Sequence, residues 1–166
     1  IARSRHSQQV AAPVQKVTVQ SSLLYGDSAQ KQPLIISGQD VILDILSNYL
    51  HQYGIQALRA YVGSFESLLS LYQGNVQAAT CHLWDSDTDS YNLPYIRRLV
   101  PGVHAVAVNL TYRMQGFYVK KGNPKKITSW KDLTRPDVYI LNRRNGTGSR
   151  ILLDEHLFRM KVSPGT

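Results

Sequence analysis

Between Pro33 and Leu83 the apolar residues keep changing their spacing, and that rhythm restricts the fold more than any other feature of the chain. Leu34-Ile35-Ile36 is a short apolar run of the kind carried by a strand buried on both faces. After Ser37-Gly38-Gln39-Asp40, apolar residues recur at Val41, Ile42, Ile45, Leu46, Tyr49, Leu50 and Tyr53, which is helical spacing. Gly54 follows where a helix C-terminus wants a residue of positive φ. Residues 58–62 read as a second strand. Phe65, Leu68, Leu69 and Tyr72 mark a second helix ending near Gly74, and residues 76–83 read as a third strand. Strand–helix–strand–helix–strand with short links calls for an α/β fold with parallel strands and right-handed crossovers.

The rest of the chain is looser. Residues 85–92 form an acidic, polar stretch with Asp85, Asp87 and Asp89, expected to be a loop. Residues 93–99 suit a short helix, since Pro94 is tolerated in a first turn. Residues 103–109, 116–120 and 138–141 read as strands, and Gly122-Asn123-Pro124 as a break. Ser129 is placed to cap a one-turn helix, and residues 149–160 form a last helix. Residues 1–32 have the composition of a lead-in from an upstream module, with a short strand at 16–20 and a turn at Gly26-Asp27-Ser28. Because the chain opens at Ile1, it is expected to be a fragment.

At 166 residues, 43% hydrophobic and 18% charged, the chain can bury a core without staples, because roughly 70% of its unfolded surface is removable at this size. One cysteine, Cys81, excludes an internal disulfide, and no Cys/His cluster has zinc spacing. Inside an apolar strand Cys81 is expected to be an inert core thiol. No apolar run approaches the roughly 18 residues of a membrane span. Charge is uneven. Residues 1–96 hold 5 Lys/Arg against 7 Asp/Glu, and residues 97–166 hold 14 against 4, so the whole +8 comes from the second part. That points either to an anionic partner or to a solvated basic face.

Three strand-to-helix turns could carry chemistry. Ser37-Gly38-Gln39-Asp40 and Gly63-Ser64 each put a hydroxyl and first-turn N–H groups at a helix start, which suits an anion and suits simple N-capping equally. In an open parallel sheet such turns gather beyond the carboxyl ends of the strands. The third, Asn142-Arg143-Arg144-Asn145-Gly146-Thr147-Gly148-Ser149-Arg150, is dense in glycine, hydroxyls, amides and arginine, and can form a concave nest of N–H donors. Ile151 stands where the third glycine of a dinucleotide fingerprint would be, and there is no G-x-x-x-x-G-K-S/T phosphate loop. His82 and Asp85 lack the partners of a nucleophilic triad or a metal centre.

These stretches, together with Cys81-His82-Leu83-Trp84-Asp85, Tyr91-Asn92-Leu93-Pro94, Arg113-Met114-Gln115-Gly116 and Lys121-Gly122-Asn123-Pro124, resemble the periplasmic-binding-protein-like domain over residues 33–166. In bacteria and archaea that domain is joined to winged-helix or excisionase-like DNA-binding modules or to molybdopterin-biosynthesis proteins, and it is more distantly similar to the type-2 proteins that capture molybdate and tungstate. The resemblance implies an α/β, type-2 fold with two lobes, parallel and mixed sheets and a hinge. Residues 33–121 would be the first lobe and hinge strands, and residues 122–166 a second lobe cut short. Ser37, Gln39, Ser64 and His82 would then hold ligand from the first lobe. Arg143, Gly146, Thr147, Gly148, Ser149 and Arg150 would hold it from the second. Met114 stands where the family pattern leads one to expect an acidic residue.

The expectation is a non-catalytic domain, without cofactor or metal, that senses molybdate, tungstate or a related anion for a cytoplasmic transcription regulator. It would reach DNA through an attached helix-turn-helix-type module, have no membrane partner and pair as a homodimer. The rivals are an extracytoplasmic receptor of an ABC transporter, an accessory domain of a molybdenum-cofactor enzyme, and direct DNA binding by the basic half, which has no recognition motif behind it.

Overall fold

The computed structural model describes residues 32–162. The strand expected at 16–20 and the turn at 26–28 lie outside the described residues. From Pro33 on the chain forms one compact unit.

Its centre is a three-stranded parallel sheet in the order β2-β1-β3, built from β1 (Leu34–Ser37), β2 (Ala57–Ala60) and β3 (Ala78–Ala79). The links are α1 (Ile42–Gln52) and α2 (Ser64–Tyr72), so the strand–helix rhythm of the sequence becomes two parallel crossovers. Both helices stop the same way. Gly54 (φ +73°) follows α1, its N–H bonding to the His51 carbonyl while the Ile55 N–H reaches Leu50. Gly74 (φ +75°) does the same after α2 with Leu71 and Ser70.

Alternation along the strands sorts the core. Leu34, Ile36 and Ala57 face α1 and pack with Leu43, Leu46 and Leu50. A second cluster joins Leu68 of α2, Leu83 and Val100, with Cys81 and Ile151 against it. Burial pushes the Cys81 thiol up to about 11, as an inert core thiol requires.

The expected third strand over 76–83 is shorter than the pattern suggests. β1 ends at Ser37, so past Thr80, whose N–H bonds to the Ser37 carbonyl, no described residue remains to pair with. The following N–H groups turn to side chains instead: His82 to Ser64 Oγ (3.3 Å) and Leu83 to Asn92 Oδ1 (2.9 Å). Residues 85–92 are not simply a loop. β4 (Trp84–Asp85) and β5 (Ser90–Tyr91) pair as an antiparallel hairpin, closed by the Asp85 carboxylate accepting from the Thr88 N–H and hydroxyl. Then comes α3 (Leu93–Leu99), with Pro94 in its first turn.

Residues 103–109, 116–120 and 138–141 are not strands here. They run without ladder partners, and Val106, Val108, Tyr112, Tyr118, Tyr139 and Leu141 stand open to solvent. A strand exists only where a second segment accepts its N–H and C=O groups, and no described residue does so for these. A short 3-10 turn, Trp130–Thr134, is held by Asp132, whose carboxylate accepts from Thr128 and Ser129 and is pushed down to about 2 by those bonds. The last helix, α4 (Gly148–Arg159), lies on the hairpin. There His156 stacks between the rings of Trp84 (4.4 Å) and Trp130 (3.8 Å), and Glu155 accepts from Tyr95 (2.9 Å) and Ser86.

Candidate functional site

The carboxyl ends of the strands and the start of α4 meet at glycines. A Cβ on Gly63 would lie 2.8 Å from the Gly146 carbonyl oxygen, and one on Gly148 would lie 2.4 Å from the His82 ring. Side chains are excluded there, so the backbones of three separate junctions touch directly. The contact between two of them is hydrogen-bonded: the Phe65 N–H, in the first turn of α2, donates to Gly146 O (3.1 Å).

Ser64 and His82 form the polar centre of this junction. Ser64 is buried, and its Oγ accepts the His82 N–H (3.3 Å) and lies 3.2 Å from His82 Nδ1. Oγ carries two lone pairs and one proton, so it pairs with Nδ1 as donor or as acceptor according to the ring tautomer. Desolvation holds His82 below the ordinary histidine range. The Asp40 charge works against this, while Arg113 and Arg143 add to it. Asp40 also caps α1 by accepting from the Ile42 N–H (2.9 Å) and pairs with Arg113 (2.5 Å). That reach from the first turn to residue 113 has no local signature in the sequence.

The start of α4 is uncapped. Thr147, buried at the N-cap, turns its hydroxyl back to the Arg144 carbonyl (2.8 Å), and the first intrahelical bond is Ile151 N–H to Thr147 O (3.0 Å). Among the described residues no acceptor meets the N–H groups of Gly148, Ser149 and Arg150. Such a terminus favours negative charge.

The residues singled out in the sequence divide accordingly. Ser64, His82, Gly146, Thr147 and Gly148 come together, and the Arg143 charge is felt at His82. Ser37 lies at the same end of the sheet, but its hydroxyl is fully buried and shared with Ser67 (2.9 Å), so it is no free donor. Arg150 lies along α4 in an ion pair with Asp154 (2.8 Å). Gln39 and Ser149 are exposed. Sequence reasoning missed Ser67, whose place one turn into α2 was the available signal. It also missed Glu66, which with Phe65, Asn145, Gly146 and Ile151 lines an open pocket of about 360 Å³ beside the junction. The Glu66 carboxylate in that lining disfavours an anion in the pocket.

Among the described residues no group of three or more His, Cys, Asp or Glu could hold a metal, and no helix is long and apolar enough to cross a membrane.

Comparison with known proteins agrees with this architecture. The chain is 43% identical over 162 residues to an uncharacterized protein, YvgK, of Bacillus subtilis (strain 168), a match covering 96% of this chain and 51% of that protein. It thus spans about half the length of the curated relative it matches. No solved structure matches. The profile of the PBP superfamily domain matches residues 47–166, from within α1 to the last residue, and the chain belongs to that family.

Proposed function

We propose that this is the non-catalytic oxyanion-sensing domain of a cytoplasmic transcription regulator, taking molybdate or tungstate first and a larger molybdenum-cofactor-like or organic anion second. The single observation that carries the reading is the uncapped start of α4, with its N–H groups beside Ser64 and His82. Neutral amide donors at the start of α4, backed by the Arg113 and Arg143 charges, suit a compact dianion; each charged hydrogen bond contributes roughly 1.5–3 kcal/mol. Burial of Ser64 supports binding over catalysis, because its oxygen is turned to a backbone N–H rather than to an incoming substrate. In this reading the domain has two lobes, residues 33–121 and 122–166. Residues 103–109 and 116–120 are its hinge strands. DNA is reached through an attached module.

Thermal unfolding with molybdate, tungstate, sulfate and phosphate tests the proposal. An anion at a hundred times its Kd stabilises by about 2.7 kcal/mol, which raises Tm by roughly 5–10 °C for a chain of this size. Ser64→Ala should reduce that rise. No rise with any anion overturns the reading. The reading frame upstream of Ile1 separates regulator from transporter receptor, by a DNA-binding helix pattern in one case and a signal peptide in the other.

A further inference from the structure

One face of α1 is apolar and, among the described residues, uncovered. Val41, Ile45, Tyr49 and Tyr53 follow one another at intervals of four, so they line one stripe of the helix, and each is more than half exposed. The opposite stripe of α1, with Leu43, Leu46 and Leu50, is the one that packs on the sheet. The Tyr49 and Tyr53 hydroxyls share a hydrogen bond (2.9 Å) with their rings 5.0 Å apart. Tyr61, also exposed, extends it by donating to Asp44 of α1 (2.8 Å) beneath the Arg59 guanidinium.

We propose that this stripe is the twofold seam of a homodimer, with α1 of one copy antiparallel to α1 of the second. Across such an axis Val41 meets the second copy's Tyr53 and Ile45 meets its Tyr49, so each residue finds its complement in an identical surface. Charge favours a second copy over a charged partner. A twofold contact sets residues near the axis against their own copies, and this stripe presents no unbalanced charge there. Asn48 and Gln52 flank it, and the nearby Asp44 is neutralised by Arg59 at 2.6 Å. The net charge of +10 in residues 97–166 belongs to the other part of the chain, so its self-repulsion is not concentrated at this seam. Area is sufficient. The exposed parts of these five side chains amount to about 600 Å² per copy, so a pair that covers all of them removes at most about 1,200 Å² from water, at the lower end of the range for a stable interface. Tyrosine is also among the residues enriched at the energetic centres of such contacts.

Sedimentation equilibrium of the 166-residue chain at up to about 100 μM tests this, since a dimer population rises with protomer concentration. Wild type should run as a dimer. Ile45→Glu and Tyr49→Glu, both at exposed positions, should run as monomers with unchanged circular dichroism. Leu58→Glu, equally exposed but on the other face of β2, should leave the dimer intact. A monomeric wild type overturns the proposal, and so does a dimer that survives Ile45→Glu. The relative direction of the helices has its own readout. With Cys81 replaced by alanine, a mixture of Ile45→Cys and Tyr49→Cys chains should cross-link to each other faster than either does to itself. The reverse order rejects the antiparallel seam. None of these outcomes depends on whether the domain binds an anion.

Discussion

Gly63 and His82 carry the finest constraints in the molecule. A methyl group at Gly63 would push against the Gly146 carbonyl, a backbone atom with no rotamer to retreat to. Gly63→Ala should therefore cost about 1–3 kcal/mol and abolish any anion-induced rise in Tm. Gly116→Ala, where nothing lies within 4 Å, should be neutral or slightly stabilising, and comparing the two melting curves checks the assignment. At His82 desolvation depresses the pKa, so the folded protein prefers the neutral ring and loses stability as pH falls below the ordinary value of about 6.5. A bound anion reverses the preference, because it favours the imidazolium. Affinity should then rise as pH falls from neutrality towards the depressed pKa of the free protein. Calorimetric titration across that range should show this trend in wild type and a flat profile in His82→Gln.

At the scale of elements, helices and strands behaved differently. α1 and α2 were legible because a helix satisfies its own backbone: apolar residues every three to four positions, then Gly54 or Gly74, specify it locally. α4 ends in the same motif without a glycine. Lys161 takes φ +57°, its N–H bonding to Phe158 O and that of Val162 to Leu157 O. Lys161→Gly should stabilise by about 1 kcal/mol, seen as a Tm rise of roughly 2–4 °C. The hairpin of β4 and β5 was hidden because its acidic composition resembles a loop. Its turn depends on Asp85 bonding Thr88 from a buried position, where Arg98 also pairs with it (2.7 Å). The Thr88 hydroxyl, ahead of Arg98, holds that carboxyl below its usual range.

At the scale of the whole molecule, the largest unmet demand among the described residues lies in residues 105–115. Val106, Val108, Leu110, Tyr112 and Met114 alternate with Ala105, Ala107, Asn109, Thr111 and Arg113, the period of a half-buried strand, yet the apolar set is exposed. Backbone amides without partners exchange fast. Hydrogen exchange over 103–119 should be near the unprotected rate in this chain and strongly slowed in one extended to the length of its relative. Equal exchange in both would remove the hinge-strand assignment.

By itself the sequence determined what is settled within a few residues: the helices of the crossovers, the parallel order that short links impose, and the donor-rich loop at 142–150. The meeting of Ser64 with His82, the burial of Ser37 against Ser67, and the approach of Gly146 to Gly63 were decided only by tertiary packing. Hydrogen bonds between residues 18 to 81 positions apart leave no periodic trace in a chain. The same holds for strand partners, which is why the helices could be read directly and the edges of the sheet could not.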